Sequence, residues 1–155
     1  MRYGTRSTAQ LRAYLDARHL PSSLTEPLIT QCTREGLLDD AVCAILWAKT
    51  LRDRGYALAA IREQLLAKGL SAGVIAPALA SLRAEADDAQ VASEIVHRQR
   101  RVRAIAPPSQ PQRLARWLAH HGFDEDVITD VLSGDTTDDT ERPQKHRGFS
   151  TGSVL

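Results

Sequence analysis

Long apolar runs are missing from this 155-residue chain. No stretch approaches the roughly 20 apolar residues that a membrane-spanning helix needs, and the N-terminus carries no apolar core of the signal-peptide kind. A cytoplasmic protein without a membrane partner is therefore expected. Aromatic residues make up only 5% of the chain, while alanine and leucine are plentiful, which favours helix over sheet. Cys32 and Cys43 form no CxxC and have no partner pair, which argues against a zinc site or a disulfide framework. Both are expected to pack as small buried residues in a reducing compartment. The net charge of +1 selects no class of partner; its distribution does.

Catalytic signatures are also missing. There is no phosphate-cradling glycine loop, no HExxH and no GxSxG. His120 and His121 precede three acids, but adjacent side chains on a helix point about 100° apart and rarely share one ion. No metal, no cofactor and no enzymatic activity are expected. Ser7 and Ser71 read as helix caps, and Trp47 and Trp117 lie on apolar stripes, where core packing is expected.

What is present is organised around residues 54–82, RGYALAAIREQLLAKGLSAGVIAPALASL. Leu58, Ile61 and Leu65 recur at helical spacing. Gly69 supplies the left-handed residue that ends many helices, and Leu70 follows as an apolar plug. Ser71 stands where it can cap a second helix bearing Ile75, Ala78, Leu79 and Leu82. Leu70 and Ile75 occupy the two positions of a hydrophobic staple.

The pattern recurs. Leu11, Leu15 and Leu20 precede Ile61, Leu65 and Leu70 by 50 residues, and Leu114, Leu118 and Phe123 follow them by 53. Leu24, Leu28 and Ile29 match Val74, Ala78 and Leu79, then Val127, Val131 and Leu132. Constant offsets of this kind point to tandem helical units. The first comprises helices at about 7–19, 22–35 and 40–54, with Ser23 and Glu26 as a capping box for the second and Asp39 or Asp40 as cap of the third. Ala44, Trp47, Ala48 and Leu51 form the third helix's stripe, and Gly36 and Gly55 end the second and third. Asp87 and Asp88 repeat Asp39 and Asp40 at an offset of 48, ahead of a helix with Ala92, Ile95, Val96 and Val102 inward. The expected architecture is all-α, an elongated array of three-helix repeats at 1–54, 55–106 and 107–134. The last is truncated to helices at about 111–121 and 125–132. Residues 1–6 are expected to fray, residues 106–112 (APPSQPQ) to form a linker, and residues 135–155 to form a disordered tail.

The charges are arranged unevenly. From Ile95 to Phe123 there is no acid, yet Arg98, Arg100, Arg101, Arg103, Arg113 and Arg116 lie there, while residues 124–141 carry eight acids and no base. Planar guanidinium suits bidentate contact with phosphate. Arg12 and Arg62 are equivalent by repeat, as are Arg18 and Lys68, extending a basic strip along the array. A helix-turn-helix reader of DNA fits poorly, because the second helix AGVIAPALASLR is nearly all apolar where polar residues must reach base edges, and EDVITDVL is acidic and would repel phosphate. Contact with the phosphate backbone of single-stranded DNA, independent of sequence, fits better. The alternative is a helical-repeat scaffold for another protein, with the arginines as solvated surface.

The LLDD at 37–40, RGY at 54–56, IREQLLAKGL at 61–70 and HHGFDEDVITDVL at 120–132 together resemble the RecX regulators of bacterial recombination. The resemblance runs from about Ser7 to Leu132. It implies tandem three-helix repeats and no catalysis. It also implies binding to the RecA recombinase, typically as its filament on single-stranded DNA, with inhibition the usual outcome in recombination, repair and the SOS response.

Overall fold

The protein is described here by a computed structural model. The structure describes residues 6–103 and 111–133, with the side chains of 100–103 excepted. These residues form α1 (Thr8–Asp16), α2 (Ser22–Arg34), α3 (Asp40–Asp53), α4 (Leu58–Ala67), α5 (Ala72–Glu85), α6 (Asp88–Arg103), α7 (Pro111–His120) and α8 (Glu125–Ser133), with no strand among the described residues. The all-α class read from composition is the one observed. Residues 1–5, most of the expected linker at 106–112, and the tail from 134 onward lie outside the described residues.

Helix ends follow local chemistry. Ser7 caps α1 as a capping box with Gln10, its Oγ accepting from the Gln10 N–H at 3.2 Å. Asp39 caps α3, accepting from the N–H groups of Ala41 and Val42 at 2.9 and 3.0 Å. Asp87 accepts from the Gln90 N–H at 2.8 Å, while Gln90 Oε1 accepts from the Asp87 N–H at 2.9 Å. The three turns joining first and second helices are alike. Leu20, Leu70 and Phe123 each donate a backbone N–H to the carbonyl five residues earlier, the long bond of a Schellman motif. Gly69 and Gly122 have φ of +81° and +83°, as their place past a helix end demands.

Four local readings are corrected. The first helix stops at Asp16, three residues short of His19, which takes the glycine position of its turn with φ +58°. The Ser23–Glu26 capping box does not form: Pro21 is the N-cap, the helix is already under way at Ser22, and Glu26 reaches Arg12 instead. Leu24 and Leu28 stay exposed, because α2 turns Thr25 and Ile29 inward. Ser71 holds the cap position of α5, but its hydroxyl makes no capping bond.

Tertiary contacts recur at the sequence offset. Asp40 Oδ1 accepts the N–H of Thr8 at 2.7 Å, and Asp88 Oδ1 accepts that of Leu58 at 3.2 Å. The first-turn aspartate of each third helix thus caps the first helix 30 or 32 residues before it. At the next joint, Ser7 Oγ donates to the Lys68 carbonyl at 3.4 Å, and the Ala57 N–H donates to the His121 carbonyl at 2.9 Å. Ser7 and Ala57 are 50 residues apart, and Lys68 and His121 are 53 apart.

The hydrophobic cores cross these joints. One gathers Cys43, Ala44, Ala48 and Leu51 of α3 with Leu58, Ile61 and Leu65 of α4 and Ile75, Ala78 and Leu82 of α5. The other gathers Ala92 and Val96 of α6 with Leu118 of α7, Ile128 of α8, Phe123 of the turn between them, and Ala57. α3 therefore packs against α4 and α5, and α6 against α7 and α8. At the junction of α3, α4 and α6, Arg52 Nη1 donates to Asp88 Oδ1 and to the Tyr56 carbonyl, while Nη2 donates to the Ala86 carbonyl at 2.8 Å.

Candidate nucleic-acid interface

Gly55 ends α3 with φ +87° and lies directly under an indole: a Cβ there would come 2.9 Å from Trp117 Cη2 and 3.3 Å from Ile95 Cδ1. The end of α3, the middle of α6 and the face of α7 therefore converge on one point. Around it lies a cleft of about 340 Å³ bordered by Arg52, Arg54, Arg98, Gln99 and Trp117, with Asp53 and Glu94 also on its wall. A second cleft of about 110 Å³ is formed by Gln99, Arg113, Leu114 and Trp117. Trp117 and Gln99 belong to both, so Arg54, Arg98 and Arg113 are arranged around one half-buried ring.

Those three guanidinium groups are exposed, and among the described residues none stands within ion-pair distance of a carboxylate. Arg52 is different. It is 8% exposed and committed to Asp88, with its buried Nε lacking a described partner. An arginine held rigidly inside sustains the joint; arginines left free at the rim offer bidentate donors to a phosphate.

The other expected basic residues are placed elsewhere. Arg116 is exposed on a separate groove between α7 and α8, with Phe123, Glu125 and Ile128. Arg62 borders a groove of about 610 Å³ between α4 and α5, with Arg83 beside it and Asp88 and Asp124 on its wall. Its guanidinium lies 3.3 Å from Glu63. Lys68 sits over the Trp47 ring, Nζ 5.0 Å from the centroid. Arg12 is bound by Glu26 through two bonds of 2.9 and 3.0 Å, and Arg18 lies 3.6 Å over the Tyr14 ring. Arg100, Arg101 and Arg103 continue α6, and their side chains lie outside the described residues. The structure thus brings Arg98 and Arg113 together and leaves Arg62, Lys68 and Arg116 on other surfaces.

Trp117, Arg54 and Gln99 join the site although sequence reasoning did not assign them to it. The stripe position of Trp117 signals only that the ring turns inward; what it meets there depends on how α3 ends. Trp47 matches its expected role more closely, packed against the first core. Cys43 is fully buried, its Sγ 3.4 Å from the Arg6 carbonyl, whereas Cys32 is half-buried. Burial, reinforced by Asp40 and Asp39, pushes the Cys43 thiol up from its ordinary value. Among the described residues no three His, Cys, Asp or Glu side chains converge as metal ligands, and no helix is long and apolar enough to cross a membrane.

No protein-family model matches the chain. Regulatory protein RecX of Pseudomonas entomophila (strain L48) is 31% identical over 125 residues, covering 81% of this chain and 79% of that protein. A crystal structure of a regulatory protein RecX superposes with a TM-score of 0.65 at 23% identity, covering 84% of this chain but 65% of the other. A crystal structure of RecX from Lactobacillus salivarius gives a TM-score of 0.67 at 15% identity, covering 85% and 86%. At these identities the two structures establish the likeness of fold.

Proposed function

The chain belongs to the RecX family of regulatory proteins, and we propose that it is a non-enzymatic regulator that binds a RecA-type recombinase in its filament on single-stranded DNA and inhibits it. In this reading it acts as a cytoplasmic monomer in recombination and DNA repair. The observation that carries the DNA part is the set of unpaired guanidinium groups of Arg54, Arg98 and Arg113 around one cleft. Arginines on a solvated face need not converge, and these come from three different helix ends or faces. Phosphate contact of this kind is independent of sequence and gives binding that weakens with salt. The arginine run continues along α6 through Arg100, Arg101 and Arg103, which lengthens the surface available to a backbone.

Co-sedimentation with recombinase filaments at several salt concentrations tests the reading. Wild type is compared with the variant carrying Arg98→Ala, Arg100→Ala, Arg101→Ala and Arg103→Ala, with folding checked by circular dichroism. The variant should bind more weakly to filaments on any DNA sequence, and its salt slope should fall by about one for each phosphate no longer neutralised. Unchanged binding and slope would move the DNA contact off α6. Failure of the wild type to co-sediment at any salt would overturn the proposal and favour a scaffold for another protein.

A further inference from the structure

Trp117 closes a column of three rings. Its indole stacks on the His121 imidazole with centroids 3.6 Å apart and planes 21° from parallel. His121 in turn lies 4.6 Å from the Tyr56 ring. The column is fixed from behind: His121 Nδ1 is 2.8 Å from the Trp117 carbonyl, and the His121 carbonyl accepts the N–H of the fully buried Ala57. Gly55, with no side chain, lets the indole edge settle against the end of α3. A tryptophan serving only the core would be enclosed. This one is half-buried, and its remaining surface borders the two clefts that hold Arg54, Arg98 and Arg113.

From this we infer that Trp117 is a stacking platform for an unpaired nucleobase, a role that rests on the single-stranded DNA reading and deepens it. The base extends the Tyr56–His121–Trp117 column, Gln99 offers an amide that can donate or accept at the base edge, and the surrounding arginines take the flanking phosphates. A rigid aromatic face with guanidinium groups beside it is the combination that binds single strands with little sequence preference, since every base has a π-face. A base inside a duplex has both faces covered by its neighbours, so the platform selects single strands over double strands. Asp53 and Glu94 share the wall of the larger cleft with Arg54 and Arg98, whereas the smaller cleft at Arg113 has no acid in its lining and opposes phosphate least.

The test compares oligo(dT) with an abasic oligomer of equal length and equal charge, using the full chain. Wild type should bind oligo(dT) about 5- to 150-fold more tightly, the worth of one stacked base. Trp117→Ala should bind both oligomers equally and keep the wild-type salt slope, because the phosphate contacts remain. Since Trp117 also contacts the core, a second measurement uses Trp47→Phe, which leaves Trp117 as the sole indole. Its fluorescence should be quenched by oligo(dT) and not by the abasic strand. Equal wild-type affinity for the two oligomers, or a base preference that survives Trp117→Ala, would overturn the platform while leaving phosphate binding standing. Binding to neither oligomer at low salt would overturn both.

Discussion

Gly69 receives Ala9: a methyl placed on Gly69 would lie 2.5 Å from the Ala9 Cβ, closer than such atoms come in folded proteins. Gly122 receives Ala60 in the same way, at 2.6 Å. These glycines therefore do two things, adopting a left-handed turn and admitting the first turn of a helix from earlier in the chain, α1 at Gly69 and α4 at Gly122. Gly36 has the same backbone sign, φ +70°, with nothing within 4 Å of its would-be Cβ.

That contrast makes a quantitative prediction. Gly36→Ala should cost the backbone strain alone, about 1 kcal/mol. Gly69→Ala should cost clearly more, because Ala9 is a short, inflexible neighbour. In urea unfolding, Ala9→Gly combined with Gly69→Ala should recover part of the excess, a coupling of about 0.5 kcal/mol or more. Equal losses at Gly36 and Gly69 would show that the close approach to Ala9 carries no energy.

His19 occupies the corresponding turn without a glycine's freedom, at φ +58°. His19→Gly should raise stability by up to about 1 kcal/mol, since a β-carbon is relieved of the left-handed region and the greater freedom of glycine in the unfolded chain offsets only part of the gain. A thermal midpoint that falls in this variant would contradict it.

Arg52 and Asp88 form a pair in which the arginine is 8% exposed and the aspartate 26%. Asp88→Ala strips a buried guanidinium of its charge partner and the Leu58 N–H of its acceptor. A loss of about 3 kcal/mol or more is expected, read as a shift of the urea midpoint at constant slope. Asp39→Ala, which removes only an exposed cap, should cost about 1 kcal/mol.

Glu26 is held below the usual carboxylate range, first by the hydrogen bonds from Arg12 and then by its charge. A carboxylate depressed in the folded state stabilises above its unfolded pKa, and that contribution is lost as the pH falls through the folded value. Arg12→Ala should therefore move the Glu26 titration, followed by carbon NMR, up toward the ordinary range. No movement would mean that the ion pair is not populated in solution.

The buried, neutral Cys43 should resist alkylation by iodoacetamide while half-buried Cys32 reacts, since the thiolate is the nucleophile and burial disfavours it. Reaction at Cys43 in the folded protein at a rate matching that of Cys32 would contradict the packing of α3.

Much of this was legible in the sequence because it is local. Helical period, cap residues and glycine positions place the eight helices of the described residues, and a constant offset pairs Asp39 with Asp87 and Asp40 with Asp88 before any contact is known. The division of labour within each pair was not legible. Asp39 and Asp87 serve their own helices, whereas Asp40 and Asp88 serve helices 32 and 30 residues earlier, and adjacency in sequence cannot tell the two apart. Likewise, a leucine stripe at Leu24 and Leu28 predicts burial only if something lies opposite, and α2 turns Thr25 and Ile29 to its neighbour instead. At the candidate interface, the arginine run was plain in composition, but its grouping was not. Arg113 meets Arg98 and Arg54 through Trp117 over Gly55, a meeting set by where α3 stops.

A core shared between α3 and the pair that follows it also has a bearing on how the chain is made. During synthesis the apolar stripe of α3, including Ala44, Ala48 and Leu51, is complete well before Ile75 and Leu82 of α5 have been added. At cellular elongation speeds of about 5–20 residues per second, that stripe waits roughly 2–6 s for its cover. The same delay recurs when α6 leaves the ribosome ahead of Leu118 and Ile128. Twice during synthesis, therefore, one helix stands uncovered at the growing end, first α3 and then α6. A ribosome pause between codons 54 and 75 would lengthen the first exposure, and one between codons 103 and 118 the second.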